Sequence, residues 1–331
     1  MKAFAAGGQR SLSSREPRED KGSTMSATSV SGGGAAPRRA KKKGIGGGIN
    51  TLPLMAPSVV LLLAWMIVPL AMTLYFSFRR YNLLNPMIHG WAGFNNFKFL
   101  FEDPALLHSL LVSVIIVVGV IAITICLGSV LAAVFNQPFR GQGIARVLMI
   151  SPFFVMPTVS ALVWKNLLLD PVNGLFAWMF RAVGLQPIAW FSVFPLGSIM
   201  TILCWEWLPY AFLILFTALQ SMDEEQLEAA RLDGASALDI FFHIQLPHMA
   251  RAISVTIMIE MIFLLSIFAE IYVTTAGGPG FATTNLTFLI YQRALLAFNV
   301  GGASAAGVIA IILANIVSAF LTKSVGKRLE V

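Results

Sequence analysis

Charge is scarce in this chain. Only 12% of its 331 residues are Asp, Glu, Lys or Arg, against 57% apolar, whereas soluble domains carry about 25% charged residues. A water-soluble globular protein is thereby excluded, and a mean hydropathy of +0.77 places the chain in a membrane. Cysteine is almost absent: Cys126 and Cys204 each sit in an apolar run without ligand spacing, which excludes a disulfide framework or cysteine metal site and leaves two small packing residues. The four histidines, His89, His108, His243 and His248, have no Ser, Cys or metal partner at useful spacing, so catalysis is not expected. No Gly-x4-Gly-Lys-Ser/Thr sequence occurs, and the Gly-rich runs at Gly46 and Gly277 lack the Lys that reaches nucleotide phosphates. The chain is not expected to hydrolyse ATP or hold a cofactor. The net charge of +7 does not point to nucleic acid, because the basic residues are not interleaved with aromatics and ten of the 23 precede residue 50.

Residues 1 to 50 are rich in Gly, Ser, Ala, Lys and Arg with no apolar run. Such a segment buries too little surface to offset its ordering entropy and is expected to be a disordered, basic cytoplasmic tail. Met25 is a candidate true start. A secretory signal is not expected, since the first apolar run begins only near Leu52, is too long, and lacks a cleavage site. Residues 51–331 read as the transmembrane domain. Six runs reach the roughly 20 mostly apolar residues that a spanning helix requires: about Leu52 to Phe78, Leu107 to Phe135, Ile144 to Leu169, Phe194 to Leu219, Ala252 to Val273 and Gly302 to Thr322. With both termini inside, 17 basic residues fall on the cytoplasmic side and 6 outside, in line with the positive-inside rule. The fold class expected is an all-α membrane protein with six transmembrane helices.

Between the fourth and fifth runs lies a polar island, about residues 220–250. Ser221 with Glu224 reads as a capping box that starts a short helix near Asp223. Gly234 suits its left-handed end, Ser236 with Asp239 starts a second helix, and Pro247 is expected to stop it. Leu238, Phe241 and Phe242 give that second helix one apolar face on an element too short to be stable alone, so it needs something to dock into. By composition alone this is a surface loop with ordinary caps. The pattern Glu228-Ala229-Ala230, then Gly234, then Ile244-Gln245-Leu246-Pro247 nevertheless resembles the cytoplasmic loop of ABC importer permeases, the binding-protein-dependent transport subunits. The resemblance implies that Glu228, Ala229, Ala230, Gly234, Leu246 and Pro247 couple the chain to a separate ATP-binding subunit.

The presumed outer loops, at Gly90 to Phe97, Asp170 to Gly174 and Gly277 to Gly280, read as turns. In their places they are also similar to landmarks of the sugar-importer branch of that family. Ile259 to Phe263 and Phe268 to Tyr272 resemble polyol and related carbohydrate permeases. Carboxylates within the apolar runs carry the functional reading. Glu206 and Glu260 lie mid-run, where a charge costs at least about 2.5 kcal/mol, so each must face protein or water. Either is open to a structural role. Tyr210, one turn beyond Glu206, shares its face, and such a pair can take hydroxyl hydrogen bonds from a polyhydroxyl ligand while a flanking Trp covers its C–H face. The resemblance implies that Tyr210 and Glu260 fall where maltose-type permeases contact sugar, although Glu260 replaces a smaller polar residue there. Phe153, Pro157, Phe263 and Ile267 are further candidates for the cavity wall. Glu270, ten residues on and about 80° round a continuous helix, is expected outside that contact set. The reading is thus a permease subunit of an ATP-driven importer of a sugar or polyol in the bacterial inner membrane. Its implied partners are a homologous second permease, two ATP-binding subunits, an extracytoplasmic solute-binding protein and membrane lipid, with no nucleic acid. The rivals are an ion-coupled secondary transporter, for which no inverted repeat is visible, a membrane-embedded enzyme, and a non-transporting scaffold.

Overall fold

The computed structural model describes residues 52–85, 87 and 89–329. The expected tail and the candidate start Met25 lie outside them. The architecture below is that of the compact unit Ala56–Val331.

Helix α1 (Leu52–Ser77) carries Pro57 and Pro69. It leads into a hairpin of β1 (Arg79–Tyr81) and β2 (His89–Trp91), paired antiparallel with Arg80 opposite Gly90. The hairpin departs from the all-α expectation. Its cause is local: Phe78 gathers Trp91, Phe94 and Phe97 at ring-centroid distances of 5.4–5.9 Å, the kind of aromatic cross-strand cluster that holds a short ribbon together. Asn96, on the short helix α2 (Asn95–Glu102), ties the turn down by donating to the carbonyls of Ser77 and Arg79 at 2.8 and 2.9 Å.

The central pair of the fold is α3 (Pro104–Phe135) and, further along, α8 (Pro195–Gln220). Helix α3 starts as the chemistry of a first turn prescribes, with Asp103 accepting from the Ala105 N–H at 2.8 Å and Pro104 where no amide donor is needed. Arg293 closes on the same Asp103 carboxylate as an ion pair. Gly128 lets the two helices approach closely: a Cβ there would lie 3.1 Å from Ala211 Cβ and 3.3 Å from the Phe212 amide nitrogen. Small residues at such a contact replace the hydrophobic drive that lipid cannot supply. Val112, Ile116 and Val120 of α3 meet Ile199 and Leu203 of α8 in the main core.

Between these two helices the chain does not run straight through the third apolar stretch. Helix α4 (Gln142–Ile150) and a 3₁₀ turn (Ser151–Phe154) are bent by 104° from α5 (Pro157–Val163), which widens into a π-helical turn (Trp164–Leu168). The bend sits at Met156, whose extended backbone, ψ 136°, is what the following Pro157 favours. Short helices α6 (Leu175–Ala182) and α7 (Trp190–Val193) lead to α8.

After α8 come α9 (Glu224–Leu232) and α10 (Ala237–Ile240), a π-helical turn (Phe241–Gln245) and α11 (Leu246–His248). Helix α12 (Ala250–Leu264) is followed by a break and by α13 (Ala269–Thr274). Helix α14 (Leu286–Tyr291), extended by a π turn (Gln292–Leu296), and α15 (Val300–Leu329) complete the chain. The break at 265–268 frees backbone carbonyls that lipid could not satisfy. Thr287 donates to the Leu265 carbonyl at 3.1 Å and Asn285 to the Ile267 carbonyl at 2.7 Å, while Asn285 also caps α14 through the Phe288 N–H at 2.8 Å. By length and composition, four helices among the described residues can cross a membrane, or up to six when each bent pair counts as one span.

Candidate functional site

Two places on this frame carry the sequence-predicted residues. The first is the loop from α9 to α11. Its opening cap is Asp223, whose carboxylate accepts from the Glu225 N–H at 3.1 Å. The expected Ser221–Glu224 box does not form, because α8 runs on to Gln220 and the Ser221 hydroxyl turns back to the Ala218 carbonyl at 2.7 Å. Glu224 and Glu225 in the first turn of α9 and Arg231 in the last suit its dipole. Gly234 is left-handed, φ 82°, and the Ala235 N–H returns to the Ala230 carbonyl at 3.0 Å, which closes the helix as anticipated. The second box is present: the Ser236 hydroxyl accepts from the Asp239 N–H at 3.3 Å, and the Asp239 carboxylate accepts from the Ser236 N–H at 3.1 Å. The Ser236 hydroxyl also donates to the Asp239 carboxylate, and this bond first, with the one from the Ser236 N–H, holds the Asp239 carboxyl below its usual range.

Pro247 does not end the helical path. It sits in the first turn of α11, where a missing N–H does no harm, after the π turn has widened the backbone ahead of it. The chain then bends by 63° into α12. Leu227, Ile240 and Met249 anchor the loop in a core shared with Phe212, Leu215 and Leu219 of α8. Of the predicted coupling residues, Glu228, Ala229, Gly234 and Pro247 are exposed, while Ala230 and Leu246 are half-buried against that core. Leu238 is 69% and Phe242 56% exposed, so two of the three residues assigned to the apolar face stand clear of the chain.

The second place is a cavity of about 370 Å³ where the bend before α5, the middle of α8 and the break after α12 converge. Phe153, Val155 and Pro157 form one wall, Glu206 and Trp207 a second, and the stretch from Phe263 through Ser266–Glu270 the third. The cavity thus unites Phe153, Pro157, Glu206, Phe263 and Ile267 among the predicted residues. Tyr210 stacks on Phe153 at 5.8 Å and lies against Trp207 at 5.9 Å, backing the aromatic wall. Glu260 is not brought there: it is fully buried, and Thr124 of α3 donates to it at 2.8 Å. Glu270 was expected outside the contact set and instead lines the cavity with Glu206. The helix rotation behind that expectation assumed an unbroken helix, and the break at 265–268 resets it.

The two places are mechanically joined. Helix α8 carries Glu206 and ends where α9 begins, and α12 continues from α11 to the break beside Glu270. A multi-pass helical membrane protein with a capped two-helix loop packed under the ends of two of its spans is the class of molecule these elements define. The chain belongs to the family described as binding-protein-dependent transport system inner membrane component, whose model matches residues 124–331, more than half its length. It is 29% identical over 265 residues to the probable ABC transporter permease protein y4oQ of Sinorhizobium fredii, covering 80% of this chain and 85% of that one. It is 28% identical over 282 residues to the sn-glycerol-3-phosphate transport system permease protein UgpA of Brucella abortus, covering 84% and 94%. In fold it is similar to a chain of the crystal structure of a bacterial ABC transporter involved in the import of the acidic polysaccharide alginate, with a TM-score of 0.72 at 19% identity over 84% of this chain and 96% of that one.

Proposed function

We propose that this chain is one permease subunit of an ATP-driven importer that carries a sugar or polyol across the bacterial inner membrane by alternating access. In this reading the spans are α1, α3, the bent α4–α5 pair, α8, α12 and α15, giving six, with α10 and α11 left in the cytoplasmic loop and both termini cytoplasmic. A homologous second permease completes the channel, two ATP-binding subunits dock on the loops, and a solute-binding protein delivers cargo from outside. The observation that carries the reading is the loop: self-capped, anchored by Leu227 and Met249, and presenting Leu238 and Phe242 to solvent, in a chain with no nucleotide-binding motif of its own. Burying that face requires another protein, and the family supplies its kind.

The proposed mechanism follows from the connections. Closure of the ATP-binding pair draws the loops together, and α8 and α12 transmit the movement to the walls of the cavity, which opens to one side and then the other. Trp207 and Phe263, 5.3 Å apart between ring centroids, give the cavity a surface for the C–H faces of a sugar. The experiment is a cysteine at Ala229, which is exposed on α9, in the complex purified from membranes. Crosslinking to a stoichiometric nucleotide-hydrolysing subunit is expected; its absence overturns the reading. ATP-independent uptake driven by a proton gradient would instead favour an ion-coupled transporter.

A further inference from the structure

The cavity has an acidic end. Glu206 is 7% and Glu270 5% exposed, both line it, and Ser160 of α5 is fully buried close enough for its hydroxyl to act on the Glu206 carboxyl. Glu206 Oε1 has no hydrogen-bond partner among the described residues, and a buried polar atom left unpaired costs about 1–3 kcal/mol.

The surroundings decide what such an end can receive. Among the described residues no basic side chain lines the cavity, and Lys165, on the helical run that carries Ser160, directs its ammonium to the Val273 carbonyl at 2.8 Å. A phosphate, sulfonate or carboxylate entering here would meet acidic groups without a counter-charge. Adjacent hydroxyls, by contrast, can donate to carboxyl oxygens while the Trp207 ring covers the carbon skeleton.

We infer that Glu206 and Glu270 form a hydroxyl clamp for an uncharged polyol or sugar, with Ser160 behind Glu206 as a positioning residue, and that Glu270 makes the cavity reject anionic solutes. This rests on the importer reading above and adds to it the residue that sets charge selectivity. The complete importer with its binding protein is reconstituted in proteoliposomes. ATP-driven uptake is followed for a panel of labelled hexitols, pentitols and disaccharides beside glycerol 3-phosphate and hexuronates. The expected result is import of one or more uncharged probes and of none of the anions. Glu206→Gln and Glu270→Gln should each raise KM about 3- to 10-fold, the loss expected for one net hydrogen bond. Ser160→Ala should raise KM in the same sense, and the exposed Glu102→Gln should not. Import of an anionic probe by the unaltered protein, or unchanged KM in both Glu→Gln variants at normal complex yield, overturns the clamp while leaving the importer reading intact. ATP-driven uptake of no probe at all counts against the importer reading itself.

Discussion

Thr124 and Glu260, 136 positions apart in sequence, meet in the interior through a 2.8 Å hydrogen bond that fastens α3 to α12. Replacing Thr124 by Val keeps the shape and deletes the donor, leaving both Glu260 oxygens without a partner among the described residues. A loss of about 1–3 kcal/mol is expected, read as a lower melting temperature of the detergent-purified complex. Thr124→Ser should restore most of it.

Asn285 serves two elements at once, capping α14 and donating to the Ile267 carbonyl at the break. Asn285→Leu therefore orphans one N–H and one carbonyl inside the membrane. The expected outcome is a loss of about 2 kcal/mol or more together with impaired uptake, because Ile267 and Glu270 lose the support that holds them at the cavity. Asn285→Asp, which keeps the cap and loses the donor, should fall between the two in melting temperature.

Gly128 faces Ala211 and Phe212 with no room for a branched side chain. Gly128→Val should cost about 1–3 kcal/mol by overpacking and reduce the yield of folded protein, whereas Gly128→Ala requires a shift of only a few tenths of an ångström. Comparison of melting temperatures and expression checks the order.

In the loop, Gly234→Asp or Glu228→Lys is expected to abolish ATP-driven uptake with membrane insertion intact. Nothing lies within 4 Å of a Cβ at Gly234, but its φ of 82° disfavours any side chain, and Glu228 is exposed. Surface levels and uptake measured on the same cells decide it; unchanged uptake contradicts the coupling role.

Asp239 makes the start of α10 sensitive to acid. Its folded carboxyl is held low by Ser236, so the cap's contribution is fully present above the ordinary Asp range and is lost as pH falls through the lowered folded value. Amide hydrogen exchange at residues 236–240 should show protection falling on that descent. Asp239→Asn should abolish the pH dependence.

How much of this was legible beforehand follows from how local each feature is. Gly234 and the Ser236–Asp239 box were readable because a left-handed end and a reciprocal cap are decided within a few residues. The Ser221–Glu224 box misled because the preceding helix claimed Ser221 first, a competition that spacing alone does not reveal. Apolar runs gave the spans their places but not their bends: Met156 and the break at 265–268 are shaped by Pro157 and by distant Asn285 and Thr287. That break moved Glu270 into the cavity and is why a rotation computed along one helix failed. Glu260 went astray for a related reason, since its partner lies on a helix far off in sequence.

The outward-facing Leu238 and Phe242 bear also on manufacture. If an ATP-binding protein seats over that face as proposed, a copy made ahead of its companions carries it bare, and expression of this chain alone should give short-lived protein that its companions rescue.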